Sequence, residues 1–150
     1  MYSRQEAAAI HRKFWTVFGQ YLKPTKNANG ETINWVNYKT GRRHCFIKMQ
    51  VDRYQANISL QLHHPDLQEQ QSVYEILYSG RSSLSTVNEH LWSWDLLQNN
   101  DDGKTISQIC KNIKNVNIYD EHTWPAIISF LKPQLIALDG FWLQMVDFIP

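Results

Sequence analysis

Residues 44–64 read HCFIKMQVDRYQANISLQLHH, two clean alternations joined by Arg53-Tyr54-Gln55. Over 44–52, Cys45, Ile47, Met49 and Val51 fall on one face, with His44, Phe46, Lys48 and Gln50 on the other. Over 56–63, Ala56, Ile58, Leu60 and Leu62 oppose Asn57, Ser59, Gln61 and His63. Successive strand side chains point to opposite faces, so the pattern describes two strands, each with an apolar and a polar side. One apolar face is the mark of an antiparallel sheet covered on one side. The short connection makes the pair a hairpin. A turn centred near Tyr54 sets Asp52 beside Ala56 and Gln61 across from about Ile47.

Upstream, Ser3 and Glu6 form a capping box, in which each side chain satisfies a free amide of the other residue. Ile10, Phe14, Val17, Phe18 and Tyr21 then recur at helical spacing, and Lys23-Pro24 ends the helix. A polar loop over 25–31 leads to an expected strand at 33–38, closed by the turn Lys39-Thr40-Gly41-Arg42. Downstream, Pro65 suits the first turn of a second helix carrying Val73, Tyr74 and Leu77, with His64 or a neighbour as its cap. Strands are expected at 91–97 and 106–113, joined by the turn-forming Asn99-Asn100-Asp101-Asp102-Gly103. Thr123 caps a last helix in which Trp124, Ile128, Leu131, Leu135, Leu138, Trp142 and Met145 fall at alternating steps of four and three. Pro133 should kink it by meeting the carbonyl of Ser129. That stripe spans about three heptads and lacks flanking charges, so it reads as core before it reads as a dimer seam. The expected order is αβββαββα. The fold class is α+β, a largely antiparallel sheet of about five strands with helices packed on one face, in a single domain over 1–150.

The runs SRQEAAAIHRKFWTVFGQYLKP (3–24), INWVNYKTG (33–41) and WPAIISFLKPQLIALDGFW (124–142) resemble a family of bacterial proteins called domain of unknown function 4268. The resemblance covers roughly 1–142. It implies no particular reaction and brings no catalytic residues to carry over. Some relatives carry a similar domain after nuclease-like domains, which implies a link with nucleic-acid processing or defence.

The net charge of +1 is unevenly placed. Residues 1–53 hold ten Lys/Arg against three Asp/Glu, and residues 54–150 hold five against eleven. Such asymmetry fits a surface for an anionic partner, or two halves that complement each other. No run of 18 apolar residues occurs, and two cysteines are too few for a disulfide framework, so a cytoplasmic chain with reduced thiols is expected. Cys45 lies on the apolar face, where burial raises a thiol pKa and blunts it as a nucleophile. No P-loop, G-x-G-x-x-G or G-x-S-x-G is present, and Asp101-Asp102 lacks the spacing of a calcium loop.

A restriction-endonuclease-like site needs an Asp followed by acid-x-Lys on the next strand. Here the candidates are Asp52 and Gln61-Leu62-His63. They lie about 17 Å apart at roughly 3.3 Å per residue, and a Gln stands where an acid is needed. His44 and His63 share the polar face as weak metal candidates, but they make an incomplete ligand set. The remaining constellation is WVNYKTGRRH over 35–44. Lys39, Arg42 and Arg43, with Lys48 and Phe46 on the polar strand face and Trp35 nearby, would offer phosphate contacts and stacking surfaces. The functional expectation is a non-enzymatic binding or accessory module for nucleic acid or another polyanion, with no cofactor and no membrane. The alternative is a protein-interaction module, including a homodimer. A degenerate nuclease or metal-dependent hydrolase ranks third.

Overall fold

The first hairpin forms where the alternation puts it. In the computed structural model, which describes residues 1–84 and 91–150, strands β1 (Cys45–Val51) and β2 (Gln55–Leu62) pair antiparallel. Cys45 lies opposite Leu62, Ile47 opposite Leu60, and Val51 opposite Ala56. This register is one residue from the expected one. Apolar residues face apolar residues across the ladder, and Gln61 lies opposite Phe46 instead of Ile47. The cause is the turn: Asp52 Oδ1 accepts the amides of Tyr54 (2.7 Å) and Gln55 (2.9 Å), so residues 52–55 close as a four-residue loop.

Helix α1 (Arg4–Leu22) starts at the expected capping box, with Ser3 and Glu6 bonded reciprocally at 3.1 and 3.0 Å. The expected strand at 33–38 is absent, and this corrects both the element order and the strand count. Asn34 Oδ1 accepts the Asn37 amide at 3.2 Å, competing locally for backbone that a ladder would need. Trp35, only 2% exposed, donates its indole N–H to the Thr25 carbonyl at 2.9 Å. The segment is therefore irregular, held by side chains. Gly41 does take the left-handed backbone (φ 75°) that the turn reading required.

Helix α2 (Leu67–Ser79) begins two residues after Pro65, and Asp66 is its cap, accepting from Gln68 and Glu69. Strands β3 (Ser93–Asn99) and β4 (Thr105–Lys114) follow, with a register shift between Asp95 and Gln98 and Leu97 at φ 52°. Helix α3 (Trp124–Met145) runs continuously through Pro133. Thr123 sits at its N-cap but spends its hydroxyl on the preceding loop, donating to the carbonyls of Asn117 and Asp120. Among the described residues the order is αββαββα, an α+β fold with one four-stranded antiparallel sheet ordered β1-β2-β4-β3.

Both α2 and α3 pack on one face of that sheet, while α1 lies on α3 through Phe14 against Trp124. The covered face supplies Ile47, Ile58, Leu60, Leu62 and Ile109, and α3 supplies Leu131, Leu135, Leu138 and Trp142. Burying each large aliphatic stabilises by roughly 1.5–3 kcal/mol. Helix α3 is long and apolar enough to cross a membrane by composition. Its apolar residues are instead spent on this core, buried from Trp124 to Met145.

Polar groups on the covered side are tied down individually. Gln70 is wholly buried; its amide nitrogen donates to the His64 and Thr105 carbonyls (3.0 and 3.1 Å) and its oxygen accepts from Ser107 Oγ (2.7 Å). Ser107 Oγ in turn accepts the Leu97 amide at the β3 irregularity (2.9 Å). Lys111 Nζ donates to Gln134 Oε1 at 2.9 Å and lies 4.6 Å over Trp92, and burial lowers its pKa.

Asp139 on α3, 1% exposed, accepts from the Tyr38 hydroxyl (2.6 Å) and the Ala28 amide (2.8 Å). Trp142 adds a bond to the Thr40 carbonyl at 2.9 Å, so the irregular segment is clamped to α3 at three points. Burial, and then the Asp139 carboxylate, push the Tyr38 hydroxyl pKa far above its usual range. Tyr38→Phe should cost about 1–3 kcal/mol, because it strips a buried carboxylate of one partner. Exposed Tyr54→Phe should stay within about 0.5 kcal/mol. Urea unfolding of the two variants checks the pair; equal small effects would show that the clamp carries no stability.

Candidate functional site

Among the described residues the helices pack on one face only, which leaves the other face of the sheet without a helical layer. Strand alternation and the ladder register set out its residues in rows. Phe46, Gln61, Gln108 and Asp95 form one row, and Lys48, Ser59, Cys110 and Ser93 form the next. Gln50, Asn57 and Asn112 complete the third. The middle of this face is a shallow depression of about 120 Å³ between Lys48, Asn57, Gln61, Gln108 and Cys110.

At one end stands an aromatic pair. Phe46 is 42% exposed, with the His63 ring 5.1 Å away edge-on at 74° and Lys48 Nζ 5.4 Å from its centroid. His63 is positioned by Gln61, whose oxygen lies 2.7 Å from Nε2, and Gln61 bonds Ser59 in turn at 2.9 Å. Burial lowers the His63 pKa below its usual value, and Lys48, Lys104, His44 and His64 push the same way. His63 is therefore neutral at neutral pH and ringed by positive charge. Lys48 and Lys104 make no ion pair among the described residues. The open-face carboxylate Asp95 sits on the far strand, 3.5 Å from Gln108 Nε2 and 3.8 Å from Cys110 Sγ.

The structure separates the residues that the sequence grouped. Lys48 and Phe46 stand together on the open face as expected. Lys39, Arg42 and Arg43 are exposed on the loop before β1, where Arg42 turns toward the helical side and reaches the Val146 carbonyl at 3.5 Å. Trp35 is in the interior with its indole N–H already bonded, so it offers no stacking surface. Gln108 and Asn112 join the face through the β2–β4 pairing, which nothing in the local sequence announces, and Lys104, just before β4, stands close enough to act on His63.

The weak metal pair also comes apart. His44 and His63 are backbone partners, with the His63 amide on the His44 carbonyl at 2.7 Å. His44, however, takes φ 67°, which turns its ring away from the open face to lie 5.3 Å from buried His64, while His63 meets Phe46. Among the described residues no three His, Cys, Asp or Glu side chains gather as a metal site. Asp52 has one oxygen committed to its own turn and stands six strand residues from the residue facing Gln61, about 20 Å away at roughly 3.3 Å each. The nuclease constellation does not assemble.

Both thiols are free. Burial pushes Cys45 up to about 11, and burial with the neighbouring Asp95 carboxylate does the same to Cys110. Cys110 on the open face is thus protonated at neutral pH, when the thiolate is what reacts. Two pKa units mean roughly a hundredfold less thiolate than an ordinary cysteine has near pH 8. Alkylation of Cys110 by iodoacetamide should be slower by about that factor, and Asp95→Asn should restore only part of it because burial is the larger cause. Mass spectrometry against a model thiol checks this; equal rates would refute the raised pKa.

No curated protein and no solved structure matches the chain. A family model does, over residues 10–146, which takes in most of α1, the irregular segment, the whole sheet and α3. The chain belongs to the family described as domain of unknown function 4268 (DUF4268).

Proposed function

We propose that the open sheet face binds single-stranded nucleic acid, making the domain a cytoplasmic, non-enzymatic binding module. The observation that carries this reading is Phe46: an aromatic ring left exposed on an uncovered sheet, bracketed by Lys48 and His63. A base stacks on such a ring whatever its identity, while an unpaired ammonium beside it meets the phosphate. Gln50, Asn57, Gln61, Gln108 and Asn112 add amide donors and acceptors along the track. Lys104 extends the positive end, and Lys39, Arg42 and Arg43 flank it from the loop.

A protein-interaction module is the second reading, favoured by one observation. β1 is an edge strand, so a second copy or another chain could add a strand beside it. Light scattering separates the two: a stable dimer without nucleic acid favours the second.

Fluorescence anisotropy with labelled single- and double-stranded DNA and RNA tests the first. Two phosphate contacts predict about a sevenfold loss of affinity between about 50 and 200 mM salt, at a slope near −0.7 per contact. Lys48→Ala should lower that slope by about 0.7, and Phe46→Ala should cost about 1–3 kcal/mol. Because the His63 pKa is lowered, its ring gains a proton only below 6.5, and phosphate favours the charged form. Binding should therefore tighten as pH falls from 7 toward 5, and His63→Gln should abolish that dependence. Affinity unchanged in both Phe46→Ala and Lys48→Ala would defeat the proposal.

A further inference from the structure

At the opposite end of the hairpin from Phe46 lies a second, larger concavity of about 640 Å³. It is built where the β1–β2 turn meets the chain leaving β4, and its walls include Arg53, Tyr54, Lys114, Asn115 and Asn117. Its volume is within the range of small-molecule clefts, roughly 300–1,000 Å³. Backbone bonds hold the walls in place: the Asn115 amide donates to the Tyr54 carbonyl and the Ile118 amide to the Asp52 carbonyl, each at 3.0 Å. Asn115 adopts φ 64°, a left-handed conformation that Asn tolerates better than most residues. The cleft is therefore formed before any ligand arrives.

Its chemistry is specific. Arg53 holds its guanidinium carbon 5.3 Å from the centre of the Tyr119 ring, and its N–H groups make no hydrogen bond among the described residues, so they can meet an oxyanion. Neither Arg53 nor Lys114 has a carboxylate partner among the described residues. Asp120 lines the cleft too, but its Oδ1 is engaged by the His122 amide (3.1 Å) and ring (3.2 Å). Tyr54 is 71% exposed and fixed at its backbone by Asp52, and its ring makes no aromatic or cation contact among the described residues. Asn117 uses its oxygen on the Tyr119 amide at 2.9 Å and keeps its amide nitrogen, and the Asn115 side chain makes no hydrogen bond among the described residues. Two unpaired cations, one bare aromatic face and two carboxamides converge on one space.

We infer that the Arg53–Tyr54–Lys114 cleft is a binding site for a nucleoside phosphate. Arg53 and Lys114 take the phosphate, Tyr54 stacks on the base, and Asn115 with Asn117 meets the base edge. The same chemistry arises from a free mononucleotide or from the terminal residue of a strand. The cleft shares no residue with the Phe46 and Lys48 end; along the strands Lys48 lies about 13 Å and Phe46 about 20 Å from it at roughly 3.3 Å per residue. The two sites therefore stand or fall separately.

Amide NMR of the full chain tests this with adenosine 5′-monophosphate, adenosine, inorganic phosphate and a pentanucleotide. The monophosphate or the pentanucleotide should shift the amides of Tyr54, Asn115 and Asn117, the first marking a free ligand and the second a strand end. Adenosine without phosphate should bind about tenfold or more weakly, and Arg53→Gln with Lys114→Gln should lose at least as much. Phe46→Ala with Lys48→Ala should leave the monophosphate shifts intact. The inference is overturned if neither ligand moves those amides at millimolar concentration, if the shifts survive Arg53→Gln with Lys114→Gln, or if they vanish in Phe46→Ala with Lys48→Ala.

Discussion

The central strand β2 buries Ala56, Ile58, Leu60 and Leu62 against the helical layer, and that burial decides everything the other face can be. Strand parity is strict, so once these four residues point to the helices, Asn57, Ser59, Gln61 and His63 must point the opposite way. β1 and β4 are locked to β2 in register, and their alternate residues follow. A slip of one residue would move an entire apolar set into water, an error of several kcal/mol at about 25 cal/mol per Å². The open face is thus as tightly specified as the core, although among the described residues no helix packs on it.

A second constraint acts from α3. Asp139 and Trp142 draw the segment between α1 and β1 onto the helix, and they do so with hydrogen bonds instead of a sheet ladder. A buried carboxylate without partners would cost far more than an exposed one, so Tyr38 and Ala28 are needed as much as Asp139 needs to be buried. The loop carrying Lys39, Arg42 and Arg43 therefore leaves a fixed point at Thr40. It enters β1 with its basic side chains in solvent and Arg42 bent toward the end of α3. This is why six residues grouped by sequence as one patch occupy three places, the loop, the open face and, for Trp35, the interior.

What the sequence made legible, and what it hid, follows the range of the interactions. The capping box, the two strands from Cys45 to Leu62 and the long α3 rest on local periodicity, and they appear within a residue or two of expectation. The strand at 33–38 failed because its apolar residues alternate only by composition. Asn34 captures a backbone amide and Trp35 is recruited by Thr25, neither of which a period-two pattern reveals. The hairpin register slipped by one because the Asp52 side chain sets the turn, and turn chemistry outweighs a guess at its midpoint. Phe46 and Lys48 could be placed on the polar face from alternation alone. Gln108 and Cys110 could not, since their position depends on β2 pairing with β4, a contact across some fifty residues.

The composition of the open face bears on why it is left open. A face that served only solubility would carry mixed charges, which hydrate well and discourage association. This one carries Gln50, Asn57, Gln61, Gln108 and Asn112 around two serines, with Lys48 on one side and Asp95 on the other. Asn is disfavoured in strands, so its presence here trades stability for directional hydrogen bonding. Several of the amides bond laterally, Gln61 to Ser59 and Asn112 to Gln55, which fixes their rotamers before any partner is met. Pre-set donors and acceptors lose little entropy on binding, and a neutral surface adds little non-specific attraction. The positive charge stands at its ends, Lys48 and Lys104 beside Phe46 and Arg53 and Lys114 beside Tyr54. On the proposed binding reading, a polar track with a cationic aromatic group at each end would let hydrogen bonds set the fit and charge set the approach.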